Sequence, residues 1–384
     1  MKLFEPIVDE AKQHQHFRAV LMQEHAASRD VVTGWAGGFP DRDGKFVQEF
    51  QISFNSPFWE IYLYAVFREY GFAFDWSRAS PDFLLAREGQ QFCVEAVTAN
   101  AADGKPNEWD RKFDPENPVP IDIGALNKEA MVRLANAIHS KHKKYTTSYA
   151  KLPHVGGKPF VLAVAPFEQP HFNYQYNRPI KSVLYDHYVD EGAYQKDPKA
   201  FPNGPPTRHL GFVTKDNGAD IQLGFFNDDR MRHISAVLFS CTATWGKVDA
   251  LAAQTGDRRT IVQTVWGSEP DGRPAMRAGY AEEIGETLTD GLQIYHNPYA
   301  LHPLDPSVFR RHSVVQNYLD ESAGRWVEEE LNRSLFSRSV MTVVARDNLG
   351  DVPDEAELVA APSKTLTPAK QAADEAPTAS RPLI

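Results

Sequence analysis

Cysteine is almost absent: Cys93 and Cys241 are the two in 384 residues. Both sit inside apolar, strand-like runs, so buried free thiols in a reducing cytosol fit better than a disulfide framework. Long apolar runs are also missing, and no stretch approaches the roughly 20 residues that a membrane-spanning helix needs. The first residues, MKLFEPIVDEAK, meet acidic side chains too soon for a signal peptide. The chain therefore reads as soluble and cytoplasmic, with no membrane partner. No internal repeat, glycine-rich phosphate loop, Cys/His zinc set or serine-nucleophile elbow occurs.

An excess of positive charge is lacking as well, with 41 Lys and Arg against 51 Asp and Glu, a net of −10. Part of this is local. After Gly350 six acidic residues stand against Lys364, Lys370 and Arg381, a net of −3 that leaves −7 for the rest. Aromatics vanish there too, and residues 351–384 are expected to be a disordered tail. Phosphate contacts are made locally, so a nucleic-acid partner needs a basic track rather than a basic total. Candidate pieces are Lys141-His142-Lys143-Lys144, Arg178 with Lys181, Arg230 with Arg232 and His233, and Arg310-Arg311-His312. Each alone is more often a solvated face, so these clusters permit a nucleic-acid partner without requiring one.

What is present centres on residues 56–100. Phe83-Leu84-Leu85 and Phe92 to Val97 are short apolar runs around the polar break Arg87-Glu88-Gly89-Gln90-Gln91, which predicts a β-hairpin. A symmetric even-numbered loop centred between Glu88 and Gly89 would place Asp82 opposite Glu95. Like charges so placed destabilise a sheet, and a divalent cation is the simplest compensation. Spacing alone leaves a second arrangement open, with one carboxylate inward and the other solvated. Upstream, Ser56-Pro57 opens a helix that is apolar nearly all round from Phe58 to Tyr70. Glu60 lies inside it and needs a partner, because an unpaired buried carboxylate is costly; an exposed flank or a lysine partner is the alternative.

The surrounding segments predict an α/β protein with a mixed sheet. Strands are expected at Ala73-Phe74, Phe160 to Ala165, Ile221 to Phe225, Ile234 to Cys241 and Leu292 to His296, and helices over residues 1–30, Leu126 to Tyr145 and 306–340. Phe50, Ile52 and Phe54 alternate with Gln51 and Ser53 as in a half-buried strand. Asp41 to Gly44 is a turn rather than a calcium loop, since Phe46 and Ile52 stand where glycine and glutamate belong. His14 and His16, two apart on a helix, have the wrong spacing for a metal pair and read as surface. Residues 101–124 read as a long loop. Pro270-Asp271 has no apolar strand after it and carries no site. The organisation expected is a lead-in at 1–54, one domain at 55–350 with its core at 55–167 and an elaboration at 168–350, and the tail.

An acidic residue in a buried helix, Pro81-Asp82 opening a strand, Glu95 in the next strand and then a basic helix together resemble the PD-(D/E)XK restriction-endonuclease-like superfamily. The resemblance covers residues 55–167. It implies a mixed central sheet of that type flanked by helices, and a nuclease that hydrolyses phosphodiester bonds with Mg2+ or Mn2+. Asp82, Glu95 and the Ala96 carbonyl would hold the metal, and Glu60 would bind a second ion or a water. The expected partners are DNA before RNA and a second copy of the chain in a homodimer. One residue departs from the motif: two places after Glu95, where the family carries lysine, stands Val97. In the following helix Leu134, Ile138, Lys141 and Tyr145 step by four, three and four, which sets Lys141 on the apolar face as a substitute; a snorkelling lysine is the alternative. Lys143 and Lys144 fall off that stripe and, with Arg230 and Arg232, are candidate nucleic-acid contacts. His296 is a candidate supporting residue behind the site. The competing class is a catalytically inactive nucleic-acid-binding or scaffolding protein on the same fold. A glycosidase would need its carboxylates in an open sugar cleft, which nothing in the sequence demands.

Overall fold

Apolar runs bounded by Gly, Pro and Asp become the strands of a large mixed sheet, and the helices that cover it are those with one or more apolar faces. The structure, a computed structural model, describes residues 1–110, 121–255, 260–268, 274–311, 313–320, 322–330 and 334–342. The expected tail, Pro270-Asp271, His312 and parts of the helix expected over 306–340 lie outside the described residues.

In chain order, short helices α1 (Gln15–Val20), α2 (Ala26–Trp35) and α3 (Phe46–Ser53) lead into α4 (Asn55–Glu69). Strands β1 (Ala73–Phe74), β2 (Phe83–Arg87) and β3 (Gln90–Asn100) follow, then α5 (Ile123–Thr147) and β4 (Phe160–Phe167). Next come α6 (Arg178–Tyr185), β5 (Tyr188–Val189), α7 (Glu191–Lys196), β6 (Thr207–Arg208), β7 (Phe212–Thr214), β8 (Asp220–Gln222) and β9 (Ala236–Phe239). The last part holds α8 (Trp245–Ala252), β10 (Thr260–Ser268), β11 (Pro274–Tyr280), α9 (Ala281–Ile284), β12 (Gln293–His296), β13 (Val315–Asp320), β14 (Arg325–Glu330) and β15 (Leu335–Thr342).

Among the described residues the main sheet has the order β1-β2-β3-β4-β9-β12-β13-β14. β3, β4 and β9 run parallel at its centre, and β4 is buried along its whole length, as expected of a strand covered on both faces. Residues 93 and 95 of β3 face α5, which carries Lys141 to Glu95. Val94 and its partner Phe83 face the other way, where Phe67 of α4 meets Phe83 with ring centroids 5.2 Å apart. The sheet is thus a middle layer between α5 with α6 and α4 with α2 and α8. One apolar core runs from Leu3 through Phe17, Trp59 and Leu162 to Val314, so the lead-in packs into the same core as the rest. A smaller sheet, β11-β10-β15, sits beside it. It is tied on by a buried cluster in which Glu286 Oε1 takes Lys247 Nζ at 2.6 Å and Arg338 Nη1 at 3.1 Å. No helix among the described residues is long and apolar enough to cross a membrane.

Several expectations are corrected. Phe50, Ile52 and Phe54 do not form a strand: Phe46 and Phe50, four apart, are buried on one face of α3, while Ile52 is 41% exposed. Phe54 (φ 42) makes the break between α3 and α4. Among the described residues of 306–340 there is no α-helix, only a 3-10 turn at Pro306–Phe309; the Glu-rich segment pairs as a hairpin, Leu319 opposite Trp326, with Gly324 (φ 61) in its turn. Residues 1–30 form short separate helices rather than one, and the apolar Ile7 and Met22 are exposed. Ile221 belongs to β8, which pairs with β7 apart from the main sheet, whereas β9 and β12 do extend that sheet. Cys93 and Cys241 are buried free thiols.

Candidate functional site

β2 and β3 pair antiparallel from Phe83↔Val94 to Arg87↔Gln90, with Glu88 (φ 51) and Gly89 (φ 81) as the two-residue tip. Two left-handed residues in sequence are what a tight hairpin requires, because the resulting turn twists with the strands. One more step in the same register sets Asp82 opposite Glu95. The arrangement is fixed at its open end by the Ala96 N–H, which donates to Asp82 Oδ2 at 2.8 Å. Burial first, and then the charge of Glu95, push the Asp82 carboxyl up to about 6 against the pull of the Ala96 N–H, Lys141 and Lys144.

Glu95 is 1% exposed and is compensated by side chains. Its Oε1 takes Lys141 Nζ at 2.7 Å and Lys144 Nζ at 3.0 Å, and its Oε2 takes the Tyr149 hydroxyl at 3.0 Å. Lys141 and Lys144 are one turn apart on α5, and Tyr149 follows in the turn after it. Lys144 also lies over the Tyr149 ring, 4.8 Å from its centroid. Burial works against the Lys144 ammonium, but its bonds to Tyr149 and Glu95 outweigh this and hold its pKa above the ordinary value. Lys141 is thus where the periodicity of α5 placed it. Lys144, expected on the solvent side as a phosphate contact, is instead a second partner of Glu95: its four-carbon stem lets a residue off the apolar stripe reach back to a charge at the sheet surface.

Glu60 is half-buried on α4. Burial, Asp82, Glu49 and Glu95 all raise its carboxyl, to about 8, with Arg42 opposing. Val97 is half-buried two residues beyond Glu95 on the same strand face. Among the described residues no group of three or more His, Cys, Asp and Glu is disposed to hold a metal ion. A cation here would rest on Asp82 and Glu95, with the Ala96 carbonyl. Two carboxylates are within what magnesium accepts when waters and substrate phosphate complete its shell.

The remaining candidates are not brought to this place. His296 lies level with Val94 through Val161 and Ala236. It is therefore three strands away, roughly 14 Å at about 4.8 Å per strand, and on the face opposite Glu95. There its Nε2 meets Gln316 Oε1 at 2.9 Å. The basic track is largely neutralised within the chain. Arg230 binds Asp228 at 2.9 Å, Arg178 binds Glu191, Lys181 binds Glu328, Arg310 binds Glu329 and Arg311 binds Glu69. Lys143 stays exposed, and Arg232 stands 3.9 Å from Asp229.

His14 and His16 are half-buried rather than plain surface residues. His14 meets Trp109 edge-on at 4.6 Å and stacks on Phe54 at 6.0 Å, and His16 Nε2 lies 2.8 Å from Glu108 Oε1. His16 stands at a cavity whose walls come from residues 15–16, 54–58, 108–109, 167–174, 241–249 and 338–340. No local pattern marks so dispersed a set, and the one signal available was the density of aromatics around residues 54–59 and 167–174. Comparison with protein-family models, with curated proteins and with solved structures finds no match for this chain.

Proposed function

We propose that the chain is a metal-dependent nuclease of the restriction-endonuclease-like type, hydrolysing phosphodiester bonds, with DNA as its substrate. The observation that carries this reading is the hairpin register that sets Asp82 against Glu95 while α5 delivers Lys141 to Glu95 at 2.7 Å. The lysine missing at Val97 is thereby supplied from the neighbouring helix. Asp82 and Glu95 would hold a magnesium or manganese ion, which polarises the phosphate and lowers the pKa of the attacking water. Lys141, leaving Glu95 as the phosphate arrives, would balance the charge that develops on the phosphoryl oxygens. Glu60, whose carboxyl is raised to about 8 by burial and by the charge of Asp82, would bind a water or a second ion beside that carboxylate.

A second reading, a nucleic-acid-binding protein without cleavage, is favoured by one feature: both oxygens of Glu95 are already bonded by Lys141, Lys144 and Tyr149. Incubation with duplex DNA, single-stranded DNA and RNA, in magnesium or manganese and in chelator, separates the two. Metal-dependent cleavage abolished by Asp82→Ala and by Glu95→Ala is the expected result. Full activity in either variant removes the site, and binding without cleavage by the unaltered chain gives the second reading.

A further inference from the structure

Beyond the carboxyl ends of β3, β4 and β9 lies a cavity of about 530 Å³. That is within the range of small-molecule sites, and the ends of parallel strands are where open α/β sheets bind ligands. It is separate from the carboxylate hairpin: Asn100 ends β3 five residues after Glu95, roughly 17 Å at about 3.3 Å per residue. Its apolar walls are largely aromatic, with Trp109, Trp245, Phe54, Phe58, Phe172 and Tyr174. Flat π faces in this number suit a planar ring.

The polar groups indicate which kind of ring. Glu108 is 4% exposed, and its Oε1 takes both His16 Nε2 at 2.8 Å and Asn55 Nδ2 at 2.7 Å. No bond from a described residue ends on its other oxygen, which leaves an acceptor for a ligand N–H. Asp249 adds a second carboxylate, tied to the Ser28 hydroxyl at 2.6 Å and His25 at 3.2 Å. Arg338 offers a phosphate little: its side chain is 2% exposed and its Nη atoms are engaged with Glu286 at 3.1 Å and the Thr242 carbonyl at 2.8 Å, which leaves its Nε without a partner among the described residues. Two carboxylates facing a wall whose arginine is already paired disfavour an anion. They suit a neutral heterocycle with N–H donors on its edge.

We propose that this cavity binds a nucleobase or nucleoside, with the ring against the indoles of Trp109 and Trp245, an N–H edge on Glu108, and any phosphate left outside. Such a base has two sources, a free nucleoside or a base turned out of a nucleic-acid strand. The inference does not rest on cleavage at Asp82.

Calorimetric and tryptophan-fluorescence titrations with adenosine, guanosine, cytidine and uridine, and with their 5′-monophosphates, test it on the full chain. At least one nucleoside should bind more tightly than its monophosphate. Trp109 is half-exposed, so Trp109→Ala should keep the melting temperature while weakening that binding by about tenfold or more, as loss of a stacking platform does. Glu108→Gln should weaken the same nucleoside independently. Competition by a single-stranded oligonucleotide identifies the strand as source, and its absence identifies the free nucleoside. The proposal is overturned if no nucleoside binds, if the monophosphates bind more tightly, or if both variants bind as the unaltered chain does. Cleavage assayed in parallel stands or falls separately.

Discussion

Removing the two lysines that compensate Glu95 should create a demand for a cation. In Lys141→Ala/Lys144→Ala the Glu95 carboxylate keeps, among the described residues, only the Tyr149 hydroxyl and faces Asp82 across the hairpin. Stranding one member of a buried ion pair costs about 3–5 kcal/mol. The lysine side chains are 22% and 48% exposed, so the lower end, about 3 kcal/mol, is expected for the pair. An ion held by Asp82 and Glu95 returns about 2.7 kcal/mol at a hundredfold excess over its Kd. Urea denaturation at neutral pH, in chelator and in saturating magnesium, should therefore show the double variant recovering most of its loss. The unaltered chain, with Glu95 already paired, should gain less. Adding Glu95→Gln should restore stability without the ion and remove the magnesium response. An equal magnesium response in the unaltered chain and the double variant would refute the reasoning, because the lysines would then not occupy the place of the cation.

Lys141→Ala alone should lower turnover by several orders of magnitude with little change in substrate affinity, since the contact acts mainly in the transition state; partial rescue by Val97→Lys in that background would show that the two positions share a role. Lys143→Ala should weaken nucleic-acid binding in a salt-dependent way and leave turnover alone, measured by titration at several salt concentrations. The Asp82 and Glu60 carboxyls hold their protons more tightly folded than unfolded, so their stabilisation is full below the ordinary carboxylate range and is lost as pH rises through about 6 and about 8 respectively. Glu60→Gln should flatten the upper part of that loss in denaturation curves, and metal-supported cleavage should rise through pH about 6 as Asp82 gives up its proton. Gly291→Ala should lower the melting temperature, because its Cβ would lie 2.0 Å from Thr242 Oγ1 on a backbone with φ +77.

The hairpin was legible as two apolar runs around a polar break, but its register was legible only on the condition of an even-numbered loop centred between Glu88 and Gly89, which the two-residue tip meets. The central strands were legible as apolar runs, and Lys141 through the period of α5. Lys144 was not, because a helical wheel records where a residue leaves the backbone and not how far a flexible stem reaches. Tyr149 falls beyond the end of α5, where the period gives no direction. Phe50 fits a strand by alternation with Ile52 and Phe54 and a helix by its spacing of four from Phe46, and packing of Phe50 against Phe17 decided for α3. In residues 306–340 the apolar anchors Val314, Val315, Leu319, Trp326 and Val327 read as a helix, yet pairing of β13 and β14 at the edge of an existing sheet overrode it. The aromatic cavity left only a density of aromatics in two stretches to be read, since its walls are brought together from six separated segments.

The hairpin also limits how its gene can change length. Alternate residues of a strand point to opposite faces, so one codon inserted in β2 alone, between Asp82 and the tip, would slide Asp82 past Glu95 and turn it to the α4 side. Matched insertions, one in each strand, keep the carboxylates opposed, and an extra codon at Glu88-Gly89 lengthens only the turn. A library of single and paired codon insertions across residues 83–94 would reveal this as a pattern of tolerated lengths: free at the tip, paired in the strands.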